Sequence, residues 1–230
     1  MSDVDLDIAH GARQAVLGPN GAGKTTLFNL IAGDFPPTAG TIELRGQDIT
    51  RLPAKARPRL GCSRTYQKSR LFSGMSVEDN LYLAQIGKEG GHLRPFGSRK
   101  DRGLRERARE AAAAVWLDGR KDTLVGALSH GEQRQLEVAM ARVTQPDLLM
   151  LDEPASGLSR GERERLTELL LDLDRDVTLV LIEHDMDIAL TVGEQVMMMH
   201  DGRKIVEGTP AEIRANETVH DLYLGRGNRG

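Results

Sequence analysis

The sequence predicts an α/β protein built on a mostly parallel sheet, and three observations predict it. Residues 148–151 and 177–182 are apolar runs without polar alternation, as strands covered on both faces require. Between them Leu166, Leu169, Leu170 and Leu173 fall at i, i+3, i+4 and i+7, the stripe of an amphipathic helix. Strand, helix and strand with short links make a right-handed parallel crossover. Near the start, the apolar run 14–17 passes through a glycine-rich turn, 18–23, into a helical pattern.

Each element has its own signals. Residues 25–32 place Leu27, Phe28, Leu30 and Ile31 in a helix that Gly33 terminates. Pro36, Pro37 and Gly40 mark a loop before a strand at 41–44. From about 70 to 145 the composition shifts to an inserted helical subdomain. It contains a Gly/Arg-rich stretch, 87–109, expected to start as a mobile basic segment, and an alanine-rich helix at 108–116. Ser159 with Glu162 forms a capping box. Residues 195–200 and 203–207 flank Asp201-Gly202, a hairpin signal. Thr209-Pro210 with Glu212 opens a further short helix. The run 51–70 holds seven Lys/Arg and no acid. It reads as a solvated face, with a site for headgroups or an anionic ligand as the alternative.

Composition narrows the function classes. The chain of 230 residues is 39% hydrophobic and 28% charged, with only 3% aromatics. That suits one globular domain over 1–230 with a core of Leu, Val, Ile, Met and Ala. No apolar run approaches the ~20 residues of a membrane span. The first seven residues carry three aspartates and no basic residue, unlike a secretory signal. One cysteine excludes a disulfide framework, and a net charge of −3 argues against nucleic acid as a partner.

Three constellations carry chemistry. Gly18-Pro19-Asn20-Gly21-Ala22-Gly23-Lys24-Thr25, followed by Thr26, fits a phosphate loop. Its backbone N–H groups and the helix dipole face an anion, Lys24 neutralises β/γ oxygens, and the Thr25 hydroxyl would ligate Mg²⁺. Asp152 and Glu153 end the apolar run 148–151, where open α/β sheets bind ligands. Asp152 would hold Mg²⁺ through a water, and Glu153 would polarise the water attacking a γ-phosphate. Leu128-Ser129-His130-Gly131-Glu132-Gln133 pairs a capping box, Ser129 with Glu132, with bare backbone at Gly131 at a helix start. That helix start is itself an anion site.

The last motif resembles the LSGGQ signature of ATP-binding-cassette (ABC) domains, with His130 and Glu132 as departures. The resemblance spans essentially the whole chain. Gln67, in Arg64-Thr65-Tyr66-Gln67, matches the family's glutamine loop, and His184, in Ile182-Glu183-His184-Asp185, its switch histidine. It implies a P-loop ABC fold with an antiparallel β portion, ATP and Mg²⁺ as cofactors, and Thr25, Gln67 and Asp152 at the metal. In this reading Gln67 and His184 sense the γ-phosphate beside Glu153, while Ser129, Gly131 and Glu132 belong to the motif that closes over nucleotide held by a second ATP-binding subunit. Closer matches, among them Glu183-His184-Asp185-Met186 and Leu222-Tyr223-Leu224-Gly225, are similar to ATP-binding subunits of branched-chain amino acid importers. Urea and amide importers share much of this pattern.

The resemblance further implies permease subunits, an indirect link to a solute-binding protein, and a peripheral place on the cytoplasmic face of the membrane. Leu71-Phe72-Ser73-Gly74-Met75-Ser76-Val77 lies where a permease helix would dock, although such a cluster also suits plain core. A soluble ABC ATPase acting on DNA or ribosomes is disfavoured: about a hundred residues without heptads separate phosphate loop and signature, where chromosome-maintenance relatives carry long coiled coils, and this sequence shows one cassette where translation-factor relatives carry two. Residues 1–17 lack the adenine-stacking aromatic of the family, and an amino-terminal strand is expected to be missing. Ser159 stands where many relatives have an aspartate, and His130 is expected to point away from phosphate.

Overall fold

The computed structural model describes residues 1–65, 71–88 and 99–224. Six strands form the main sheet: β1 (Arg13–Leu17), β4 (Cys62–Arg64), β5 (Leu148–Asp152), β6 (Thr178–Ile182), β7 (Gln195–His200) and β8 (Arg203–Gly208). Their order is β4-β5-β6-β1-β7-β8, parallel throughout except for β8. A separate antiparallel pair joins β2 (Glu43–Leu44) to β3 (Gln47–Asp48), so the strand expected at 41–44 shrinks to two residues. Arg45 and Gly46, both at positive φ, turn the chain too soon for a longer ladder.

Every residue of β1, β5 and β6 is buried, which their unalternating sequences require. Leu149 and Leu151 face one layer, with Leu166 and Leu170 of α5 (Arg160–Leu171) and Ile188 of α6 (Met186–Val192). Met150 and Val180 face the other, with Leu27 and Phe28 of α1 (Lys24–Ala32) and with Val4, Leu6 and Ile8. Leu173 is buried as its spacing predicts, yet lies beyond the last turn of α5.

The helical insertion consists of α2 (Val77–Lys88), α3 (Arg99–Ala113) and α4 (His130–Val143), packed around Leu81, Ala112, Leu117 and Leu136. Helix α3 stops at Ala113 rather than 116, and Trp116 stands at φ 58° and 52% exposed. Arg105 and Arg109 hold Glu78 at 3.1 and 2.8 Å, locking α3 onto α2. Of the basic stretch 87–109, residues 99–109 form part of α3 and 89–98 lie outside the described residues. The capping boxes at Ser129/Glu132, Ser159/Glu162 and Thr209/Glu212 all form. The last opens α7 (Pro210–Ala215), which is followed by α8 (Glu217–Leu224).

The basic run is not uniformly a solvated face. Arg57 is 1% exposed and donates to the carbonyls of Leu30, Ile31, Ile49 and Leu52, so its guanidinium closes the carboxyl end of α1. Gly33, at φ 80°, is needed there twice over: a Cβ would stand 2.4 Å from Arg57 Nε. Arg13 does the same for α5, donating to Leu170, Leu171 and Leu173. Cys62, beneath this region, is buried against Met150, and burial pushes its thiol up to about 11. Because the thiolate is the reactive form, native protein is expected to leave a disulfide reagent unreacted at pH 8. Denatured protein should release one equivalent of chromophore; rapid native labelling would contradict the burial.

Candidate functional site

Strands β5, β6 and β1 are adjacent and parallel, so their carboxyl ends open at one edge of the sheet. Loop 18–23 leaves β1 there and returns as α1. Two glycines make its path possible. A Cβ on Gly18 would lie 2.3 Å from the Met199 carbonyl oxygen. Gly23 caps α1 at φ 98°, with Gly202 Cα only 3.2 Å from where its Cβ would be. The β7–β8 turn braces the loop, since Gly202 N–H donates to the Ala22 carbonyl at 3.0 Å. Ala22 is buried beneath the loop, whereas Asn20, Gly21, Thr25 and Thr26 are exposed on it and Pro19 is half-buried.

Lys24 lies across this loop. Its side chain is tucked in, and Nζ donates to the Gly18 and Pro19 carbonyls at 2.6 and 3.1 Å. Burial holds its pKa below the ordinary lysine value, while the charges of Glu153, Asp152 and Glu183 oppose that shift. The ammonium therefore faces three carboxylates from two neighbouring strand ends.

Asp152 ends β5 and is 1% exposed. Its Oδ2 stands 3.3 Å from Arg64 Nη2, and Arg64 also reaches Asp34 at 2.8 Å. Oδ1 is buried without a hydrogen-bond partner among the described residues, and burial raises the carboxyl above its usual range. Glu153 follows at φ 47°, a left-handed conformation that a non-glycine residue adopts only under constraint. The constraint is visible: Glu153 N–H donates to the Ile182 carbonyl, and Ser156 N–H donates to the Glu153 carbonyl. His184, half-exposed past the end of β6, brings Nδ1 to 3.7 Å from Glu153 Oε2.

Glu183 is the residue that the sequence reading missed. It is fully buried; Oε1 accepts from Ala155 N–H at 3.0 Å, and Oε2 stands 3.9 Å from His184 Nδ1. Burial raises its pKa. The signal was present, since an acid ending an apolar strand is the pattern that singled out Asp152.

Ser129, Gly131 and Glu132 sit apart from this edge, at the start of α4. Ser129 Oγ accepts from Glu132 N–H, and the Glu132 carboxylate accepts from Ser129 N–H and meets Arg120 at 3.2 Å. Gly131 N–H donates to Glu162 Oε1 at 3.1 Å. His130 turns its ring toward Gly157. Gln67 lies outside the described residues.

A phosphate-type cradle opening a helix, with two acids and a histidine on the adjoining strand ends, defines a P-loop nucleotide site. Residues 1–156 match the family model described as ABC transporter, and residues 203–228 match the one described as branched-chain amino acid ATP-binding cassette transporter. The chain is 39% identical over 234 residues to the high-affinity branched-chain amino acid transport ATP-binding protein LivG of Salmonella typhimurium, covering 98% of this chain and 91% of that protein. Its fold resembles the ADP conformation of MJ1267, an ATP-binding cassette of an ABC transporter, with TM-score 0.84, 26% identity, and coverage of 96% and 91%. It also resembles the dimeric structure of MJ0796, a bacterial ABC transporter cassette, with TM-score 0.78, 26% identity, and coverage of 91% and 90%. The chain belongs to the ABC transporter family of ATP-binding subunits.

Proposed function

We propose that this chain is the ATP-hydrolysing subunit of an importer of branched-chain amino acids. The observation that carries the chemistry is the convergence of the Lys24 loop, Asp152, Glu153 and His184 on adjacent strand ends. The cargo rests on the likeness to LivG over nearly the whole chain and on the match at residues 203–228.

In this reading the N–H groups of Gly18, Asn20, Gly21, Ala22 and Gly23 receive the β-phosphate, Pro19 shapes the loop without donating, and Lys24 leaves its loop carbonyls to bridge β and γ oxygens. Thr25 and Thr26, exposed at the start of α1, complete the cradle. The residues fit Mg²⁺. Thr25 offers a hydroxyl and Asp152 a buried carboxylate oxygen without a partner, both hard oxygen donors, with Gln67 as a further ligand. When bound, the ion neutralises charge on the transferring phosphate. Glu153 takes a proton from the attacking water, and His184 faces the γ-phosphate.

Ser129 and Gly131 act on nucleotide bound by a second ATP-binding subunit; that MJ0796 is dimeric supports the pairing of two subunits. Glu132 keeps the capping position seen here. Among the described residues no helix is long and apolar enough to cross a membrane. By the likeness to LivG, work is delivered through contact with permease subunits at the cytoplasmic face of the membrane. A cavity of about 220 Å³ lined by Arg64, Leu71, Glu137 and Met140 lies between the end of β4 and helices α2 and α4. Phe72, next in the chain to Leu71, is 52% exposed.

Phe72→Asp tests this reading. In cells it is expected to reduce leucine uptake at least tenfold, because a charge would enter an apolar contact. ATP binding by the purified chain should stay within twofold. Unchanged uptake would remove this surface from the permease contact. Normal leucine, isoleucine and valine uptake in cells lacking the chain would overturn the cargo.

A further inference from the structure

We infer that Glu183 is a positioning residue that orients His184 through its Nδ1 and ties it to the loop after Glu153. The inference rests on the proposed role of His184 and adds to it. The geometry has two halves. Glu183 Oε1 is fixed by Ala155 N–H at 3.0 Å, inside the segment that runs from Glu153 to the start of α5. Oε2 is buried without a hydrogen bond of good geometry, the backbone N–H groups of His184 and Asp185 act on the carboxylate, and His184 Nδ1 stands 3.9 Å from Oε2.

A fully buried carboxylate oxygen left without a hydrogen bond of good geometry is costly, and such groups call for an explanation. His184 supplies one. Its Nδ1 stands between Glu183 Oε2 at 3.9 Å and Glu153 Oε2 at 3.7 Å. Both distances are longer than a hydrogen bond. Contacts of this kind shorten when nucleotide closes a site around them. A carboxylate facing Nδ1 accepts a ring proton there and turns Nε2 toward the phosphate, to which Nε2–H donates when the ring carries protons on both nitrogens. Through Ala155 the same carboxylate fixes the loop that carries Glu153. Loss of Glu183 therefore disturbs the relation between the base and the phosphate sensor, while the loop backbone of the cradle keeps its contacts and Lys24 loses only the smallest of the three carboxylate influences on it.

Glu183→Gln separates this role from simple packing. The amide oxygen keeps the Ala155 contact and the side-chain volume, while the charge facing His184 disappears. The expected result on the full chain is a 10- to 100-fold fall in ATPase kcat, with nucleotide affinity and thermal midpoint close to wild type. Glu183→Asp should recover part of the rate. In a cycle with His184→Ala, the double variant should be no slower than His184→Ala alone. Wild-type kcat in Glu183→Gln, with His184→Ala impaired, would overturn the role of Glu183 alone. Wild-type kcat in His184→Ala would instead overturn the reading of the histidine. Should Glu183→Gln fail to fold, ¹⁵N spectra of the wild-type chain decide the matter, with His184→Ala assigning the signal. A proton at Nδ1 of His184 is expected, and a ring protonated only at Nε2 would overturn the proposal.

Discussion

Glu153→Gln is expected to lower ATP turnover by about 10²–10⁴-fold, the scale of a lost general base, while ATP binding stays within about twofold or tightens. The substitution keeps the volume and cannot accept a proton. It leaves intact the backbone bonds that hold residue 153 at φ 47°, because they run through its N–H and carbonyl. Binding is spared for an electrostatic reason. The Glu153 charge acts on Lys24 across the site, so neutralising it removes repulsion toward incoming phosphate and takes nothing from the cradle. Single-turnover hydrolysis measured beside equilibrium nucleotide binding checks both halves. Hydrolysis near the wild-type rate would remove Glu153 from the role of base, and a large loss of binding would show that it supports the cradle instead.

The second large effect concerns stability. Arg57→Ala is expected to cost about 3–5 kcal/mol, because several charge-assisted bonds vanish together and buried carbonyls lose their donor. The carbonyls of Leu30 and Ile31 belong to the last turn of α1, whose dipole a cation at that end also favours. Arg57→Lys should recover only part of the loss. An ammonium cannot reproduce the planar fork that reaches Leu52 with Nε and Ile49 with Nη2. Urea unfolding of the two variants measures this, and a loss below 1 kcal/mol for Arg57→Ala would show that water replaces the guanidinium. Since α1 grows directly from the phosphate cradle, the alanine variant should also bind nucleotide less tightly.

These two residues mark what could and could not be read from the chain. Glu153 was legible because its signal is local: an apolar strand ending in two acids, downstream of a glycine-rich loop. The capping boxes and the Asp201-Gly202 hairpin were legible for the same reason, each being complete within a few residues. Arg57 was not, because its partners lie up to 27 residues away and nothing nearby distinguishes it from the exposed Arg51 and Arg59. Arg13 was hidden for a stronger form of that reason, its carbonyl partners being 157 to 160 residues distant. Glu183 fell between the cases. Its place at a strand end was visible, but its meaning depends on Ala155 and His184 meeting it in space. The length of the strand at 41–44 and the end of α3 were misjudged by a few residues, as boundaries set by turn geometry rather than by hydrophobic period tend to be.

The position of β1 has a consequence for synthesis. The strand that launches the phosphate cradle lies between β6 and β7, pairing Val16 with Ile182 and with Met197. The cradle itself leans on Met199 and Gly202. The nucleotide loop is thus synthesised first, and the walls that shape it follow only about 180 residues later. Such distant closures make folding slow and leave apolar strand edges unpaired while it proceeds. A nascent chain stopped before residue 195 would carry every atom of the loop and no formed cradle. Nucleotide capture thereby reports that the β7–β8 hairpin has arrived, and ATP can stabilise only chains that have been made past it.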